Sequence, residues 1–159
     1  MLQRLLGTTA PRTTTLIRLT VGAVFVSEGI QKFLFPEQIG SGRFAKIGLP
    51  APDVLGPFVG SVEIIAGSLV LLGLGTRLAA VPLITIMCVA LGSTKWPILV
   101  ERGFWAAAHE SRTDWSMLLG SLFLLLEGAG PWSIDARLSR SSRGAEPARH
   151  QGTRWQTSR

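Results

Sequence analysis

Apolar residues fill this chain in long blocks, and charges interrupt those blocks at few positions. From Val54 to Thr94 there are forty-one residues and two charges, Glu63 and Arg77. A helix rises about 1.5 Å per residue, so about 20 apolar residues cross a bilayer. The block is long enough for two spans joined by a tight turn. Arg77 falls at that turn, after Gly73, Gly75 and Thr76. Glu63 falls mid-span, where a carboxylate is costly and marks a candidate functional position.

The pattern predicts four helices, near Thr13–Phe35, Asp53–Leu74, Arg77–Thr94 and Thr113–Gly130. Pro36, Pro97 and Pro131 lie just past three of the ends, where a missing N–H stops a helix. The fold class is all-α: an integral membrane four-helix bundle with a disordered basic C-terminal tail. Residues 13–137 make the membrane domain. Residues 138–159 make the tail, rich in Ser, Arg, Gly and Pro and too polar to bury a core. Two long loops are expected. The first, 36–52, is rich in Gly and Pro. The second, 95–112, mixes Trp96, Phe104 and Trp105 with Lys95, Glu101, Arg102, His109 and Arg112. It reads as an interfacial segment, with Ile98 to His109 as a short helix lying on the membrane.

Helical spacing puts small and charged residues on common stripes. Arg18, Gly22, Phe25, Gly29 and Lys32 form one on the first helix. Gly56, Gly60, Glu63 and Gly67 form one on the second. Thr85, Cys88, Gly92 and Lys95 share a broader face on the third, and Gly120 lies with Glu127 on the fourth. Small residues let helix backbones approach, and charges avoid lipid, so both point inward. Glu28 then lies roughly 10 Å below the outer boundary and Glu63 roughly 13 Å below it. A Glu28–Lys32–Glu63 cluster is expected there as a ligand or proton pocket, with Lys95, His109 or Arg112 capping it. Two acids and one base leave a surplus acid. At the other boundary Arg18 with Glu127, and Arg77 with Asp135, are expected to pair as a structural clamp.

Charge and rare residues narrow the function. The 16 Lys and Arg outweigh 10 Asp and Glu, but the excess lies in Arg137, Arg140, Arg143, Arg149, Arg154 and Arg159. No nucleic-acid motif accompanies them, and an anionic membrane surface is the simpler partner. Lys and Arg counts put both termini in the cytoplasm and make the protein a multi-pass inner-membrane protein. The single cysteine, Cys88, excludes a disulfide relay and reads as a small buried hydrophobe. Only His109 and His150 are present, so the chain is not expected to hold haem itself. His109, Glu110 and Asp114 make at most a weak metal site, and no metal or nucleotide cofactor is expected.

Several elements together resemble the DoxX family of small bacterial membrane proteins. They are Arg18-Leu19 with Gly22 and Phe25, then Gly29-x-x-Lys32 with Pro36, then Gly48-Leu49-Pro50. Glu63 with Gly67, Leu72-Gly73 and Thr76-Arg77 follow, and the ending runs Gly128-Ala129-Gly130-Pro131-Trp132-Ser133-Ile134-Asp135. The resemblance spans roughly 13–137. Ala66 stands where the family often has a second glycine beside Gly67. The resemblance implies a four-helix inner-membrane protein, linked to quinone-coupled sulfur oxidation or to oxidative-stress assemblies. Three readings follow. One is a non-catalytic accessory subunit of a quinone-linked redox complex, contacting quinone and other subunits. Another is a carrier of small or lipid-like molecules, which needs homo-oligomerisation. The third is a structural or regulatory anchor. None makes the chain an enzyme on its own.

Overall fold

The computed structural model describes residues 10–144. Among these the regular elements are helical. They are α1 (Thr14–Leu34), α2 (Ser41–Lys46), α3 (Pro52–Leu72), α4 (Thr76–Ala90), a π-helical turn (Leu91–Lys95), α5 (Trp96–Arg102), α6 (Phe104–Glu127) and α7 (Ile134–Gly144).

The glycine stripes decide how α1 meets α3. A Cβ on Gly29 would lie 2.7 Å from the Gly60 carbonyl oxygen, and one on Gly22 would lie 2.9 Å from that of Gly67. The backbones therefore touch, as small residues permit. The reversed order of these contacts makes α1 and α3 antiparallel. The α3–α4 turn closes on Gly73 and Gly75, whose φ values of 68° and 58° suit residues without a Cβ. α4 packs chiefly on α6, and α3–α4 and α1–α6 contacts join the two pairs. Val21, Phe25, Val70, Leu83, Leu118 and Leu124 meet in the apolar core.

The surface carries many large apolar side chains. Leu16, Phe58, Ile65, Leu78, Leu119 and Leu126 are exposed on the long helices. Two helical stretches, Pro52–Leu72 and Thr76–Arg102, are long and apolar enough to cross a membrane, yet only 33% and 22% of their spanning windows are buried within the chain. Apolar helices left uncovered by protein call for lipid.

Several expectations need correction. The loop predicted over 95–112 is helical except at Gly103. Pro97 removes one N–H and crowds the preceding turn, and the chain answers by widening to the π turn just before it. The hydroxyls of Ser93 and Thr94 donate to the carbonyls of Val89 and Ala90 at 2.7 and 2.5 Å, across the same turn. Gly103, at φ 82°, then ends α5, and α6 starts at Phe104 rather than Thr113. Ile98 and His109 thus belong to different helices. Cys88 is exposed on α4, where lipid would cover it, instead of buried. Gly92 has open space beside it, so the third-helix stripe does not pack like the first two. The stretch expected to be irregular from Leu138 continues α7 as far as Gly144. The rest of the tail, and His150, lie outside the described residues.

Candidate functional site

Close packing of α1 on α3 brings two predicted residues together. Lys32 Nζ lies 2.6 Å from Glu63 Oε2, with the side chains 9% and 2% exposed. The contact is a buried ion pair. Both side chains line a cavity of about 460 Å³ between the four long helices, covered from one end by the segment around α2. Glu28, one turn before Lys32 on α1, lines it too.

A second ion pair lies on another wall. Lys95, at the end of the π turn, sits 3.2 Å from Asp114 on α6, with side chains 14% and 22% exposed. Glu110 and Arg43 also reach the lining. Phe25, Val59, Ile86, Met87 and Met117 supply an apolar surface between the charges. An apolar pocket with a few fixed polar groups is the usual form of a small-molecule site.

Glu28, Lys32, Glu63 and Lys95 thus share one cavity. His109 and Arg112 do not line it. They are exposed on α6, where the Arg112 guanidinium donates to the His109 carbonyl at 2.6 Å. Among the described residues, no group including His109, Glu110 and Asp114 is arranged to hold a metal. Two further pocket residues are Asp114, in the first turn of the predicted fourth helix, and Glu110, in the segment predicted as loop. Continuing the helical period of α6 backward from Met117 and Leu118 would have found them.

The opposite end uses its charges differently. Arg18, 4% exposed, donates to the carbonyls of Ala129 and Trp132 at 2.7 and 2.6 Å. Arg77 donates to the Leu125 carbonyl at 3.0 Å. Asp135 accepts from the amides of Gly75 and Thr76 at 2.7 and 3.1 Å, and its own amide donates to the Gly73 carbonyl at 2.9 Å. A carboxylate at the start of α4 answers N–H groups that no helical carbonyl can reach. Arg18, Arg77 and Asp135, expected to clamp in side-chain pairs, hold backbone groups at helix ends. Glu127 stands in the last turn of α6.

A family model described as DoxX matches residues 13–96, more than half of the chain. The chain belongs to the DoxX family. It is also 52% identical over 143 residues to Uncharacterized membrane protein Rv3486 of Mycobacterium tuberculosis, covering 86% of this chain and 88% of that one. No solved structure matches it. The DoxX match runs from the start of α1 to Trp96, so it takes in Arg18, Glu28, Lys32, Glu63, Arg77 and Lys95. Asp114 and the ending around Asp135 lie beyond it. This DoxX protein is a helical membrane protein, with lipid against its exposed apolar faces.

Proposed function

We propose that this DoxX protein is a non-catalytic ligand-binding membrane subunit, an accessory to a quinone-linked redox assembly. It crosses the bacterial inner membrane several times and keeps both termini in the cytoplasm. The cavity faces the outer half of the bilayer and receives the head of a quinone. One observation carries the reading: a buried Lys32–Glu63 pair on the wall of an otherwise apolar cavity. Ionised groups at bilayer depth are expensive, and those retained there commonly serve a ligand or a proton. The link to redox assemblies and to quinone rests on the family resemblance, and the cavity supplies a place of suitable chemistry.

The apolar layer of Val21, Val70, Leu83 and Leu118 beneath the cavity supports a one-sided site over a carrier. A carrier would need that packed layer to open.

The experiment is quinone analysis of protein purified from native membranes. Wild-type protein should carry extractable quinone. Glu63→Gln, which removes the ionic partner of Lys32, should lower the quinone-to-protein ratio by about tenfold, the worth of one charged hydrogen bond. Equal quinone content in the two proteins, or none in either, overturns the reading.

A further inference from the structure

We propose that the cavity selects a head group that donates hydrogen bonds, and so holds the hydroquinone form of a quinone in preference to the oxidised form. The inference rests on the reading of the cavity as a quinone site and adds which redox form it favours.

The charges on its walls do not balance. Among the lining residues that are at least partly buried, the acids are Glu28, Glu63 and Asp114 and the bases are Lys32 and Lys95. Three acids against two bases leave one acid over. Lys32 is held against Glu63 at 2.6 Å and Lys95 against Asp114 at 3.2 Å. Glu28 is half-buried and has no hydrogen bond or ion pair among the described residues. An ionised carboxylate can only accept, so Glu28 offers the cavity an acceptor whose donor is still to be supplied.

The two forms of a quinone meet this need differently. The oxidised ring offers carbonyl oxygens, which take an N–H from either lysine but give Glu28 nothing. A hydroquinone hydroxyl donates to Glu28, while its oxygen still accepts from a lysine. The ring itself fits the apolar surface of Phe25, Val59 and Ile86 in either form. The difference between the forms is therefore one charge-assisted hydrogen bond, and sites built around such a bond reject analogues that cannot make it. No electron transfer is assigned to this chain. A quinone-reducing partner would supply the bound form, and a quinol-oxidising one would consume it.

The test uses the full-length protein in lipid nanodiscs and three probes: decylubiquinol kept reduced, decylubiquinone, and dodecylammonium. Decylubiquinol should bind at least about tenfold more tightly than decylubiquinone. Glu28→Gln, whose amide both donates and accepts, should bring that ratio close to one. The wild-type ratio stands as a test even where the variant fails to fold. Equal or tighter binding of the oxidised form, or an unchanged ratio in folded Glu28→Gln, overturns the selectivity and leaves the quinone site. Tighter binding of dodecylammonium than of decylubiquinol shows a site for amines and overturns the hydroquinone assignment. Failure of both quinone forms to bind overturns the quinone site as well.

Discussion

The two ends of the bundle hold similar numbers of charges and use them in opposite ways. At one end Lys32 meets Glu63 and Lys95 meets Asp114, side chain to side chain, on the walls of a cavity. At the other end Arg18 and Arg77 reach backbone carbonyls, and Asp135 takes backbone amides. Backbone groups at helix ends must be satisfied, and in a membrane water does not do it. Charges committed there have their chemistry spent on closing the fold. Side-chain pairs facing a cavity can be rearranged by whatever enters. A buried charge in a membrane helix is thus not evidence of a ligand site until its partner is known.

The contrast can be broken most forcefully at Lys32. Lys32→Met leaves the Glu63 carboxylate 2% exposed and unpaired. Removing one partner of a buried ion pair costs about 3 kcal/mol or more, because the remaining charge stays desolvated. Resistance to unfolding in a detergent titration should fall by that amount. Lys32→Met combined with Glu63→Met should recover most of it, since no lone charge remains. A single variant as stable as wild type would falsify the pairing.

Asp135→Ala tests the other end. It frees the Gly75 and Thr76 amides at the start of α4, a loss of about 1–2 kcal/mol, as for other helix caps. Stability should drop in the same titration while bound quinone per folded protein stays unchanged. Loss of ligand in folded Asp135→Ala would mean that the two ends are coupled and that the contrast is too sharp.

The sequence exposed one part of this arrangement fully and another only in outline. Arg18, Gly22, Phe25 and Gly29 on α1, and Gly56, Gly60, Glu63 and Gly67 on α3, are buried as their spacing predicts. A helix-helix contact built from glycines leaves a strict periodic trace, and it dictates which side chains meet, so Lys32 with Glu63 was legible. The second wall was not. Pro97 usually ends a helix, and a run as polar as His109 to Arg112 resembles a loop. The π turn absorbs the proline, and the polar run continues α6 backward, bringing Glu110 to a cavity that the four helices form together. The partners of Arg18 and Asp135 were hidden for a similar reason. Charge pairs can be guessed from residue types, whereas a carbonyl acceptor has no letter in the sequence.

Lys95→Met should have the smallest effect on stability and sharpens the comparison most finely. Its pair with Asp114 is also between side chains, but at 3.2 Å and with both groups partly exposed it keeps some hydration. Pairs of this kind contribute under about 1 kcal/mol, so the unfolding titration should barely move. Asp114 then joins Glu28 as a carboxylate without a cation, and the cavity becomes richer in acceptors. A carbonyl-headed ligand loses one of two ammonium donors, while a hydroxyl-headed ligand gains a further acceptor. Lys95→Met should therefore widen the preference for decylubiquinol over decylubiquinone while leaving the protein folded. A narrowed preference would show that Lys95, rather than the carboxylates, sets which head the cavity accepts.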